Sequence, residues 1–332
     1  MIFDKIQLGR QAAFVTPVAA TTGYPGKATS WALDRGYNNP DEDYGRLSDE
    51  QPGRGSFGLR GAGWSLDSEV RYEDYMHLLD MHLTTAGAAS GVGPYTYTHT
   101  ADETSLTPKA YTMEMGSETA QDQWRLTGAL ATSVSMGFDA LTAPGNAPWN
   151  TTVSGIAIDR SITALTAAIA APATLETAEG HLTLLYEGTT GTVFASLAEL
   201  AASLVHFRFT STVPYILLGY GSASDTATDR GVSGKAGVTF EASVKIAATA
   251  KTDTHDIFNT AGSVVQERRW RVKAVGSGTK ALTLDARVRF RTVDRADRNG
   301  EAIYGIAGSM VYDATLGGRV QIVGVNGVAS IP

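Results

Sequence analysis

Trp124-Arg-Leu-Thr-Gly-Ala-Leu-Ala-Thr-Ser-Val-Ser-Met-Gly-Phe138 decides the fold class. Leu126, Gly128, Leu130, Thr132, Val134, Met136 and Phe138 fall on one face at period 2. Arg125, Thr127, Ala129, Ala131, Ser133 and Ser135 make a small, mostly polar opposite face. Such alternation predicts a strand in antiparallel sheet with one side covered. Working outward, Leu282, Leu284, Ala286, Val288 and Phe290 alternate with Thr283, Asp285, Arg287, Arg289 and Arg291 in the same way. Further strands are expected at 93–100, 109–116, 203–210, 235–246, 266–275, 303–313 and 320–325.

Helical spacing is confined to two places. Tyr72, Tyr75, Met76, Leu79 and Leu83 predict a helix over 68–83, capped by Asp67 or Ser68, and a weaker pattern suggests another over 197–204. Between the strands, Arg35–Arg60 holds five glycines, Pro40, Pro52 and the acids Asp41, Glu42, Asp43, Asp49 and Glu50, with no apolar period. A loop of that length inside a compact domain usually has a function.

The chain has 332 residues and no cysteine, which excludes disulfides, thiolate metal sites and cysteine nucleophiles. Its net charge of −7 lacks the basic footprint of a nucleic-acid-coating protein. That charge is uneven, −8 over 1–166 and +1 over 167–332. Only 18% of residues are charged, below the usual quarter or so. Met1–Arg10 has no apolar core of a signal peptide, and Ile162–Ala173 is shorter than the roughly 20 residues of a spanning helix. A soluble protein used without export is expected.

The halves echo one another. Gly53-Arg-Gly-Ser-Phe-Gly and its following strand match Asp229-Arg-Gly-Val-Ser-Gly and its strand, and the hairpin of 110–138 matches 269–290. A duplicated β domain follows, 1–166 and 167–332.

Motifs for chemistry are weak. Gly53–Gly58 spells GxGxxG, but Asp49, Glu50 and Pro52 precede it and a strand pattern follows, the wrong setting for a dinucleotide. His77 and His82 stand about 140° apart on a helix and cannot share a metal. There is no GxSxG elbow. No catalytic residue, cofactor or metal is expected. The basic strands, with Arg268-Arg-Trp-Arg-Val-Lys273 beside Arg287, Arg289 and Arg291, suit either single-stranded nucleic acid or, preferred here, charge contacts across an interface between subunits.

Several passages resemble the tail tube (major tail) proteins of tailed bacteriophages. They are Gly9-Arg-Gln-Ala-Ala-Phe-Val-Thr-Pro-Val-Ala19, the glycine-punctuated strand 53–66, Tyr95-Thr-Tyr-Thr-His-Thr100, Lys109-Ala-Tyr-Thr-Met-Glu-Met-Gly116 and Leu126–Met136. The resemblance covers most of the chain in spacing and composition. It implies an antiparallel β-sandwich, barrel-forming fold with a flanking helix, in rings that stack into the conduit for genome ejection. The duplication favours trimers with pseudo-sixfold symmetry over hexamers. The long loop would reach the next ring through Asp41, Glu42, Asp43, Tyr44, Arg46, Asp49, Glu50 and Arg54. The resemblance implies as partners other copies of the chain, tail terminator, tape measure and distal tail proteins, and double-stranded DNA in passage, with no membrane. The place would be the virion tail, of a non-contractile type, made in the bacterial host cytoplasm. The alternative is a β-sandwich receptor- or carbohydrate-binding module of a virion, which would set Trp31, Trp64, Tyr95 and Tyr97 on an exposed cleft.

Overall fold

The computed structural model describes residues 5–38, 56–90, 93–101, 107–117, 123–140, 148–170, 176–178, 182–187, 192–199, 204–219, 226–245, 267–298 and 300–328. In 1–166 the elements are β1 (Lys5–Arg10), β2 (Thr22–Tyr24), β3 (Lys27–Asn38), β4 (Ser56–Glu69), α1 (Tyr75–Asp80), β5 (Thr84–Ser90), β6 (Tyr95–Thr100), β7 (Tyr111–Gly116), β8 (Trp124–Asp139), β9 (Asn150–Ala157) and β10 (Asp159–Ile162). In 167–332 they are β11 (Leu182–Tyr186), β12 (Ala198–Glu199), β13 (Leu204–Thr212), β14 (Tyr215–Leu218), β15 (Asp229–Val232), β16 (Gly237–Lys245), β17 (Glu267–Val275), β18 (Ala281–Arg298), β19 (Glu301–Val311) and β20 (Val320–Asn326). The protein is mainly β, with a large antiparallel sheet that is not closed into a barrel.

Two long strands organise that sheet. One edge of β8 carries β9 and then β10; the other carries β7 along Trp124–Ala129 and β13 along Ser133–Asp139. One edge of β18 carries β19 and β20; the other carries β17 along Ala281–Arg289. β9 pairs onward with β4 and β4 with β3, just as β19 pairs with β16 and β16 with β13. The result is one eight-strand path, β3-β4-β9-β8-β13-β16-β19-β18, in which the second four strands repeat the first.

The repeat extends to its irregularities. β8 bulges between Ala131 and Ser133 and β18 between Phe290 and Thr292. Opposite each bulge stands a glycine with no room for a side chain. A Cβ at Gly155 would lie 2.0 Å from the Leu130 carbonyl oxygen, and one at Gly308 would lie 2.6 Å from that of Arg289. The aromatic facing each glycine across the next strand pair is Trp64 in one half and Phe240 in the other.

The bulges also correct the expected facing of β8. A single alternation from Leu126 to Phe138 does not persist: Gly128 has φ +65°, the pairing with β7 shifts, and the bulge near Thr132 shifts it again. Ala129 and Ala131 therefore join Leu126, Val134, Met136 and Phe138 in the main core, while Leu130 packs with Ala110, Val213 and Tyr215. An extra residue in one strand reverses every later side chain.

The first helix expectation shortens and the second is overturned among the described residues. α1 runs only over Tyr75–Asp80, because Ser68 and Glu69 still pair with Thr151 and Asn150, and the amides of Val70 and Tyr72 donate to Trp149 and Glu176 carbonyls. All six helical residues are buried, so α1 lies inside the core rather than along its flank. Within 197–204 the described residues are not helical: a 3₁₀ turn, Phe194–Ser196, ends just before them, Ala198–Glu199 are β12 and Leu204 starts β13, while 200–203 lie outside the described residues. The expected 35–60 loop is narrower as well. Its two ends continue β3 and β4 as a hairpin paired out to Asn38 and Ser56.

One hydrophobic core runs through both halves. A line of aromatics crosses it, Trp149, Phe207, Phe240, Trp270 and Phe290, with successive centroids 5.2, 6.0, 5.6 and 5.9 Å apart.

Candidate assembly surface

The face of the eight-strand path that turns away from this core is lined with hydroxyls. Register places Thr152, Ser135, Thr210, Thr239 and Ser309 side by side on five successive strands. Ser30, Ser65, Ser154, Ser133 and Thr212 form a second row. Thr210 donates to the Ser135 hydroxyl at 3.2 Å, and Arg208, on the same face, donates to it at 3.2 Å. Arg208 stands opposite Glu241, which offsets its charge. The other side of the same strands buries Val134, Met136, Val153, Phe207, Phe209, Phe240 and Ile306. Across β9, β8, β13, β16 and β19 the face is mostly hydroxyl-bearing for a chemical reason: these strands put β-branched and aromatic residues inward and serine or threonine outward. The first row ends on the charges of Asp67 in β4 and Arg289 in β18.

The residues expected to reach a neighbouring ring, Asp41, Glu42, Asp43, Tyr44, Arg46, Asp49, Glu50 and Arg54, lie outside the described residues. The stem that carries them is well anchored. The Trp64 indole donates to the Ile156 carbonyl at 3.1 Å, and Arg160 donates to that of Trp31 at 2.9 Å. Of the three arginines expected at an interface, Arg287 and Arg289 both meet Glu267 of β17, at 3.0 and 2.7 Å. Arg291 is exposed on the β18 bulge. Alternation brings the three to one region, but two of them already share a carboxylate within the chain.

The aromatics that would mark a sugar-binding cleft lie inward. Trp64 and Tyr97 are buried, and Trp31 and Tyr95 pack partly buried against the core. Among the described residues no cluster of histidines and carboxylates could hold a metal ion, and no helix is long and apolar enough to cross a membrane.

Beneath the surface, sequence reading missed a polar cluster. The fully buried Asp80 carboxylate lies 2.8 Å from Arg10 Nε and accepts from Tyr111 OH at 2.9 Å and from the Thr85 hydroxyl, which also contacts His99 Nδ1 at 3.1 Å. These partners come from β1, β5, β6 and β7, as far as 70 residues from Asp80. No spacing along the chain could signal them. His82 bridges the halves in a similar way, Nδ1 to the Ala131 carbonyl and Nε2 to Ser211 Oγ, each at 2.8 Å.

Burial pushes the imidazoles of His77, His82 and His99 down to about 4. The unfolded chain takes up these protons near pH 6.5, and the folded chain does not until about pH 4. Their stabilisation is therefore complete above pH 6.5 and is lost as pH falls towards 4. Asp74, pushed up to about 7 by burial, acts in the opposite sense over much of that range. Three imidazoles outweigh one carboxyl, so a net loss on the order of 1–3 kcal/mol per pH unit is expected between pH 6 and 4.5. Urea midpoints measured across that range should fall with pH; a flat or rising series would refute the balance.

No known family model matches this chain, and no curated protein matches its sequence.

Proposed function

We propose that this chain is a structural virion protein, the tail tube subunit of a tailed bacteriophage, which assembles into stacked rings that conduct double-stranded DNA. The observation that carries the reading is the hydroxyl-lined face whose rows run over seven strands of an open sheet. An open sheet with long edges is a liability unless something closes it, and ring formation does so. With its apolar side against the body of each subunit, the closed sheet presents serine and threonine to the lumen. DNA passes such a wall with few phosphate–arginine contacts to hold it, because the arginines on this face are offset within the chain, Arg287 and Arg289 by Glu267 and Arg208 by the Glu241 opposite it. The acidic balance of 1–166 favours the same outcome. The reading assigns the chain to the virion tail after synthesis in the host cytoplasm, with terminator, tape measure and distal tail proteins at its ends and no catalysis. The receptor- or carbohydrate-binding alternative has less support, because its aromatics would be needed outside and Trp64 and Tyr97 are core residues.

Negative-stain microscopy of the purified protein is the test. Tubes or stacked rings with an axial hole are expected, and deletion of 40–52 should leave rings but abolish stacking. Monodisperse monomers at high concentration would overturn the proposal, and normal tubes from the deletion variant would remove the loop from the contact.

A further inference from the structure

The repeated strand order leaves one edge unmatched. In 1–166, β8 beyond Ser133 is paired on its second edge by β13. In 167–332 the equivalent stretch of β18, Thr292–Arg298, has no partner strand on its second edge among the described residues. At the far end of the path, β3 pairs along one edge only among the described strands, with β4. β3 is the counterpart of β13: each lies next to the strand that faces the bulge glycine, with Trp31 opposite Trp64 and Phe209 opposite Phe240. The missing partner of β18 is therefore of the kind that β3 supplies, and the missing partner of β3 is of the kind that β18 supplies.

We infer that β3 of one copy adds antiparallel to the Thr292–Arg298 edge of β18 in the next, repeating between chains the β8–β13 junction within the chain. This rests on the self-association of the proposed function and assigns the interface that achieves it. The register follows from the internal junction, where Thr212 faces Ser133, Thr210 faces Ser135 and Arg208 faces Gly137. Aligning the bulges equates Ser133 with Thr292, and aligning the aromatics equates Phe209 with Trp31. Asp34 should then face Thr292, Ala32 should face Asp294, and Ser30 should face Ala296. These positions lie clear of the bulges in both strands. Ser30, Ala32, Thr292, Asp294 and Ala296 are all exposed in the single chain, as an edge awaiting a partner requires. The charges of Arg291, Asp294, Arg295 and Asp297 would discourage indiscriminate edge pairing while the ring is unmade.

The contact is head-to-tail, and it makes a ring where the rotation between copies closes. Three copies of an eight-strand path give roughly 24 strands, which at about 4.8 Å spacing and 40° tilt make a barrel about 48 Å across the backbone. Inward side chains leave such a barrel a lumen that a DNA duplex passes with clearance. By the same geometry two copies give only about 32 Å and six give about 95 Å. Closure at three is the stoichiometry that fits.

The absence of native cysteine allows a clean test. Cβ atoms of directly opposed residues lie within about 5.5 Å, near disulfide reach, whereas a register error of four residues adds more than 10 Å. The full chain carrying Ser30→Cys with Ala296→Cys, or separately Ala32→Cys with Asp294→Cys, is oxidised and run on non-reducing gels. Either in-register pair should give covalent dimers and trimers with trimer as the limit, at least tenfold above the displaced pair Ser30→Cys with Thr292→Cys. Absence of cross-linking in both in-register pairs, or equal cross-linking in the displaced pair, overturns the assignment; a limit other than three overturns closure at three. The same samples are imaged. Tubes without in-register cross-links would sink this interface and leave the tube reading standing. Covalent trimers without tubes would support the interface and sink the tube reading.

Discussion

Asp80→Ala is expected to lower the unfolding free energy by about 3–5 kcal/mol, enough to unfold much of the protein at mild denaturant. The carboxylate is fully buried and accepts from Tyr111 and Thr85 while facing Arg10. Alanine removes the acceptor for two hydroxyls and leaves the Arg10 guanidinium, itself only about a third exposed, without its counter-charge. Breaking one side of such a pair costs far more than the pair is worth, because the remaining groups stay desolvated. Asp80→Asn keeps one oxygen acceptor but turns an amide NH₂ towards donors served by the other carboxylate oxygen, since both oxygens accept here. It should cost somewhat less than alanine and still destabilise clearly. Urea titration of the three proteins gives the ordering, and an alanine variant within about 1 kcal/mol of the parent would show that water reaches the cluster.

Phe240→Ala should cost a similar amount, about 3–5 kcal/mol, for a different reason. The ring is fully buried at the centre of the aromatic line, 6.0 Å from Phe207 and 5.6 Å from Trp270. Its removal leaves a cavity that the rigid strands around it cannot collapse to fill, since β16 is hydrogen-bonded on both sides. The line begins at Trp149 and ends at Phe290, and β13 is paired to β8, so the loss should spread across the whole chain. Hydrogen exchange should show protection falling in β8 and β9 as well as in β16–β19. Loss confined to 204–311 would show that the two halves are energetically separate.

The strands of this protein were legible because a half-buried strand must alternate, and β13, most of β17 and β8 beyond its bulge do so plainly. The helix was overread because Tyr72 and Leu83 share its spacing but lie beyond its ends, although the Leu83 amide still donates to Leu79. Tyr72 N donates to Glu176, and Leu83 leads directly into β5. Helical spacing tests side chains alone, whereas hydrogen bonding from a distant strand decides where a helix begins. The Arg287, Arg289 and Arg291 stripe was legible for the same reason as the strand, but its in-chain partner Glu267 was not, since cross-strand register is set by the turn and the bulge.

By itself the sequence determined an antiparallel β protein, free of disulfides, with two similar halves and outward strand positions given to small hydroxyl residues. Those properties are local: they follow from period-2 patterning and residue type within one strand. Only the tertiary structure decided that β8 pairs with β13, that Gly155 and Gly308 stand opposite equivalent bulges, and that Asp80 meets Arg10. Each depends on contacts between residues roughly 20 to 80 positions apart, where no periodicity survives. The hydroxyl rows belong to both levels. Each strand's pattern supplied the serines and threonines, and the register of seven strands lined them up into one surface.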